Sequence, residues 1–270
     1  MATEEPKSAG EAREAPQSDY DEFVNWDKRL TNEGPFFREL FEKEGVRSVV
    51  DVGAGSARHA ALFATWGLDV MAVDPDESML GAARANAERF AADIEAGGGS
   101  LRILQGGFGE LHRLGVGHVD ALTCTGNALP HVAGHDGLTE ALADFSSVLV
   151  PGGVLVLHLL NHARLLATHS RVVPPKVVDI ADGGTKVFVR LIDYPEGGEF
   201  LDFDFVTLVR DSAGTWELSS RRSPHTAIPL ELLLRELPCA GFGRIEAFGG
   251  HDSHEVTDGD ESVIVVARRA

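Results

Sequence analysis

Asp51-Val-Gly53-Ala-Gly55-Ser ends a short apolar run at Val49 and Val50, places glycines two apart, and passes straight into helix-like sequence. Glycines in such a turn let backbone N–H groups approach a ligand without obstruction by side chains, at the carboxyl edge where α/β sheets bind their ligands. A dinucleotide fingerprint needs G-x-G-x-x-G, and its third glycine position is Arg58 here, which disfavours a pyrophosphate. The next apolar run ends in Asp74, about 20 residues on, where a carboxylate accepts hydrogen bonds from a ribose diol. An adenosine without a pyrophosphate satisfies both features. A glycine-rich turn also serves packing alone, so the turn and Asp74 carry the reading together.

The elements that must hold these residues can be read from periodicity. "VRSVVDV", "LDVMAVD", "LRILQ", "HVDALTCT" and "GVLVLHLL" are strands of the buried parallel type, with helical crossovers at 57–66, 76–95 and 136–149 and a "VPGG" turn at 150–153 before the fifth strand. Two amphipathic helices precede them, one through Tyr20, Phe23 and Trp26, the other after Gly34-Pro35 through Phe36, Phe37, Leu40 and Phe41. After His162 the pattern alternates with a period of two, as in an antiparallel meander. A helix at "PLELLLRELPCAGF" and strands at "GRIEAFGG" and "ESVIVVARR" close the chain.

The expected fold is a Rossmann-like α/β seven-stranded sheet with helices on both faces and an antiparallel β insertion after strand five. Its parts are a disordered tail at 1–18, a helical cap or lid at 19–45, a core at 46–162, the substrate-side insertion at 163–228, and a final helix and strands at 229–270. The first 18 residues lack the apolar periodicity that repays ordering entropy.

A net charge of -18 disfavours nucleic acid and anionic membrane as partners and favours a small-molecule substrate. No apolar run reaches the roughly 20 residues that cross a bilayer. Cys124 and Cys239 lie far apart without CxxC spacing, which points to a reduced cytoplasm rather than a disulfide framework or a thiolate zinc site. The histidines lack compact ligand spacing such as HExxH, and "HDSHEVTDGDE" reads as a solvated acidic loop, so no metal is expected.

The glycine turn, Asp74, "TGNALPH" after the fourth strand and "LVPGGVLVL" before the fifth follow one another in an order that resembles class I S-adenosylmethionine-dependent methyltransferases over residues 46–161. The resemblance implies a transferase that uses S-adenosylmethionine and releases S-adenosylhomocysteine. Asp51, Gly53 and Gly55 would lie near the methionine moiety, Asp74 on the ribose, Pro75, Met79, Gly107 and Phe108 around the adenine, and Thr125 beside the cofactor. The third motif glycine is replaced by Ala57.

"TCTGNALPHV", "VLVPGGVLVLHLLNHARLL", "SPHTAIPLELLLREL" and "YDEFVNWDKRL" resemble the glycine and sarcosine N-methyltransferase group more narrowly. By that resemblance Tyr20, Trp26 and Arg29 cover the cofactor, Arg29 pairing with its carboxylate. The alternative is a packed apolar helix face with Arg29 solvated. An arginine that clamps the glycine carboxylate is expected before an Asn-Tyr pair, but the register reads Leu160, Asn161, His162, so glycine itself is disfavoured. Arg190, Arg221 or Arg222 are the replacement cations, with a solvated strand face as the alternative.

Methyl transfer from a sulfonium asks the protein mainly to align nucleophile and methyl and to exclude water. Asn127 and His131 face the methyl in the resembled fold and are the catalytic candidates; Asn127, Asn161, His162, Arg190, Arg222 and His225 are the substrate-binding ones. An amine acceptor needs hydrogen-bond acceptors, whereas a hydroxyl acceptor needs a base such as His131. His131 alternatively only bonds its own turn. The expected function is methylation of a small polar metabolite at nitrogen, with O-methylation and a non-catalytic S-adenosylmethionine-binding domain as alternatives. The sequence is compatible with a homo-oligomer.

Overall fold

The computed structural model describes residues 13–14, 20–180 and 183–270. The expected tail at 1–18 lies outside the described residues except for Arg13–Glu14 (β1). After α1 (Tyr20–Phe23) and α2 (Trp26–Glu44) the chain enters the main sheet. Its strands are β2 (Ser48–Val52), β3 (Asp69–Asp74), β4 (Ser100–Gln105), β5 (Val119–Cys124) and β6 (Leu149–Leu160), joined late in the chain by β11 (Phe242–Phe248) and β12 (Ser262–Arg269). Their order is β11-β12-β6-β5-β2-β3-β4, with β2 through β6 parallel and β12 antiparallel to both neighbours. The order turns at β2 and β5, so the carboxyl ends of these strands open the crevice in which such sheets bind ligands.

Both faces of the sheet are covered, as its buried valine and leucine runs require. On one face α2 and α3 (Arg58–Thr65) bring Phe37, Phe41, Ala60 and Phe63 against Val49 and Val70, with α4 (Glu77–Arg89) and α5 (Ala91–Gly97) beside them. The other face packs α6 (Gly134–Val148) and α8 (Leu230–Cys239) through Leu138, Leu142, Phe145, Leu233 and Leu237.

Between β6 and α8 the chain forms α7 (His162–Thr168) and a second sheet of β7 (Val172–Asp179), β8 (Thr185–Asp193), β9 (Phe200–Arg210) and β10 (Trp216–Thr226). The order is β1-β10-β9-β8-β7, antiparallel except where Arg13 and Glu14 run parallel to Ser219 and Ser220.

Three local expectations change. Gly34-Pro35 does not separate two helices: α2 runs through both, because Gly34 sits buried against α3, where an added Cβ would lie 3.6 Å from Leu62. Pro151 to Gly153 fall within β6, at an irregularity in its pairing with β5, rather than forming a free turn. Pro174 and Pro175 sit in β7, where the register to β8 shifts, as edge strands allow.

Candidate active site

A cavity of about 970 Å³ opens above the carboxyl ends of β2, β3, β5 and β6, roofed by α2 and walled by the second sheet. Its floor begins at the turn after β2. Gly53, Gly55 and Ala57 all adopt left-handed backbone, with φ of 68°, 55° and 57°. At Gly53 no side chain fits, because a Cβ would lie 2.5 Å from that of Ala128. Ala57 thus keeps the conformation of the glycine it replaces, at the strain an L-residue carries there.

Asp74 ends β3 beside that turn. Its carboxylate accepts the Gly55 N–H at 2.8 Å and the Asp76 N–H at 3.0 Å, which aims it along the cavity edge. Burial raises its pKa against the lowering effect of those two bonds. Pro75, Met79, Gly107, Phe108 and Thr125 line the same end. Asp51 is different: it is buried beneath the turn, accepts the Thr123 hydroxyl at 2.7 Å, and does not line the cavity. Burial raises its pKa too.

From α2, Trp26 and Arg29 reach the opposite end, the Arg29 guanidinium 5.1 Å from the Trp26 ring centre. Arg29 Nε donates to Glu33 Oε1 at 2.8 Å, and Glu33 Oε2 lies 2.7 Å from His59 Nε2. Burial would raise Glu33, but the His59 bond and the positive charge of Arg29 hold it far below the usual carboxylate range. His158 of β6 and His251 of the β11–β12 connection complete this corner. The side chain of Tyr20 lies outside the described residues.

The middle of the cavity holds Asn127 and three aromatic or imidazole rings. Asn127 has φ 66°, accepts the Leu160 N–H at 2.9 Å, and has its amide nitrogen 3.4 Å from His225 Nδ1. His225 stacks on Phe203 with ring centres 4.4 Å apart and meets His131 edge-on at 4.4 Å. Burial, reinforced by His131, His162, Arg221 and Arg190, pushes the His225 pKa down to about 2. His131 opens on the cavity, and desolvation followed by the Arg221 charge lowers it from 6.5. Both rings are neutral acceptors at pH 7.

Across the second sheet, Arg190, Phe205 and Arg221 stand in one register row. Their guanidinium carbons lie 5.5 Å and 4.8 Å from the Phe205 ring centre, and all three line the cavity. Arg222, one residue on, does not. It is exposed and held by Asp193, Asp202 and Asp204. Asn161 and His162 also fall outside the lining: Asn161 caps α7 through the Arg164 N–H at 3.1 Å, and His162 Nδ1 accepts the Ile228 N–H at 2.7 Å.

A family model described as a methyltransferase domain matches residues 49–153, the span that carries the glycine turn, Asp74 and Asn127. Residues 49–153 are therefore a methyltransferase domain. Its sequence is 33% identical over 153 residues to a glycine/sarcosine N-methyltransferase of Parasynechococcus marenigrum (strain WH8102), covering 57% of this chain and 52% of that protein. The chain therefore spans about half the length of the curated relatives it matches. Among solved structures, an S-adenosylmethionine-dependent methyltransferase from Clostridium acetobutylicum matches with a TM-score of 0.74 at 14% identity, covering 93% of this chain and 96% of that one. The sugar N-methyltransferase KedS8 from Streptoalloteichus gives 0.72 at 22% identity, with 100% and 98% covered. These likenesses extend the methyltransferase fold over the second sheet as well.

The Clostridium acetobutylicum protein is described as S-adenosylmethionine-dependent, and the cavity of this chain has the features that would hold such a cofactor. Gly53 leaves the turn open to close backbone approach, Asp74 offers a carboxylate acceptor beside it, and Arg29 sets a cation at the far end, the groups that a diol and a carboxylate of a cofactor would need. Glu33, His59 and His251 were not among the residues expected at the site. His59 is the second residue of α3, directly after Arg58 at the failed dinucleotide glycine position, and a histidine leading into the apolar run 60–64 was the one local signal.

Proposed function

We propose that the protein is an S-adenosylmethionine-dependent N-methyltransferase of a small polar amine that carries an anionic group. The observation that carries this reading is the pair of neutral imidazoles, His131 and His225, beside Asn127 in the centre of the cavity. Amines are protonated near neutral pH and attack only through a free lone pair. In this reading His131 takes that proton, and His225 adds no charge that would repel the ammonium form. The cofactor supplies an already electrophilic methyl group.

The remaining residues orient and enclose. Asn127, held in left-handed backbone by its Leu160 bond, fixes the acceptor side, while Trp26 and α2 exclude water. Arg190 and Arg221 flank Phe205 and supply paired cations for a carboxylate or phosphate, in place of the clamp absent at Leu160 to His162. The named activities of the relatives, on glycine and sarcosine and on sugar amines, agree with nitrogen as the acceptor atom. Two free cysteines agree with a reducing cytoplasm.

Purified protein with methyl-labelled S-adenosylmethionine and a fractionated cell extract tests this. Label is expected in a small anionic amine identified by mass spectrometry. Label in protein or RNA alone overturns the acceptor class; demonstrated cofactor binding without any label transfer overturns catalysis.

A further inference from the structure

We propose that Glu33, His158 and His251 bind a divalent first-row transition-metal ion of the zinc class at the cofactor end of the cavity. One donor atom from each lies within 4.8 Å of the others, with Glu33 Oε2 and His251 Nε2 3.8 Å apart. Donors bound to zinc at about 2.0–2.1 Å lie about 3.4 Å from one another, so each side chain needs to move by less than about 1 Å.

Two of the donors find no hydrogen bond: His158 Nδ1 and His251 Nε2 are buried and have no hydrogen-bond partner among the described residues. An imidazole nitrogen in that position costs free energy unless something fills its lone pair or takes its proton. A cation smaller than water answers both nitrogens at once.

The surroundings hold these donors as metal ligands are held. Glu33 keeps Oε1 on Arg29, and Oε2 is fixed by His59 while a second lone pair remains for an ion. The His251 ring packs against Phe36 and Phe37 at 5.4 Å and 5.8 Å. Two imidazoles and a carboxylate select zinc-class ions over magnesium or calcium, which take oxygen ligands. Three protein donors leave a position open, and all three line the cavity. The ion would join α2, β6 and the β11–β12 connection, which are far apart in sequence.

The exposed group nearby is the competing explanation for any binding. His254 has Nδ1 on Asp252 at 2.5 Å and Nε2 on Asp260 at 3.1 Å, so its nitrogens are already engaged.

The test uses the full chain after dialysis against chelator, titrated with Co²⁺ and read by visible d–d absorption, then with Zn²⁺ by calorimetry. One ion per chain is expected, with Zn²⁺ displacing Co²⁺. His158→Ala and His251→Ala should each weaken binding at least about tenfold, and His254→Ala should leave it unchanged. His251→Cys, which keeps a donor, should retain the ion and guards against a folding defect in the alanine variant. Absence of saturable binding, or binding lost in His254→Ala but kept in His251→Ala, overturns the site. No cofactor or acceptor enters the measurement, so its failure is separate from that of the methyltransferase reading.

Discussion

His131 meets two influences of one sign: desolvation and the Arg221 charge both lower its pKa from 6.5. Besides Arg221, the His225 ring and the Ser223 hydroxyl face it. In the proposed mechanism it takes the ammonium proton and acts only when neutral, so kcat is expected to rise with pH along an acid limb centred below 6.5. Arg221→Met removes a cation that disfavours the protonated ring, and stopped assays across pH 5–8 should show that limb moving upward. His131→Gln should lower kcat by about 10²- to 10⁴-fold and abolish the limb; an unchanged pH profile in that variant would count against the assignment. Asp74 holds the turn through the Gly55 N–H, and in the proposed reading it also binds the cofactor. Asp74→Asn weakens a charge-assisted acceptor for the diol, and calorimetry should give at least about a tenfold loss of affinity for both S-adenosylmethionine and S-adenosylhomocysteine.

At the scale of elements, the turn after β2 is the least tolerant piece. Gly53→Ala introduces a Cβ 2.5 Å from that of Ala128 in a backbone conformation that L-residues avoid, and the expected cost is about 1–3 kcal/mol in urea unfolding together with loss of cofactor binding. This turn and its strands were legible because buried parallel strands write continuous apolar runs and the turn writes its own glycines. The second sheet was legible as alternation, but its facing was not. Arg221 lines the cavity and Arg222 meets three aspartates outside it, and a shift of one residue exchanges those roles. β7 was hidden by Pro174-Pro175, and the Glu33–His59–His251 corner by distance along the chain. Glu33 and His251 meet only because α2 folds over the sheet edge where β11 returns.

For the molecule as a whole, buried neutral histidines set an acid limit on stability. Burial lowers the pKa of His162 to about 4, and that of His225 goes to about 2 through burial and the charges of His131, His162, Arg221 and Arg190. Below about pH 6.5 the unfolded chain binds protons that the folded one refuses, so each ring removes up to about 1.4 kcal/mol per pH unit on acidification, and stability is full above that value. Asp51, raised by burial, contributes with the opposite sign. Urea midpoints should therefore fall between pH 7.5 and 5, and His162→Gln, which keeps an acceptor for the Ile228 N–H, should flatten the dependence. That same bond ties the two ends of the second sheet's segment together where it leaves and rejoins the core. The second sheet is thus a length of chain whose two ends meet at this bond, and a chimera that exchanges it for another wall of the cavity is best cut there.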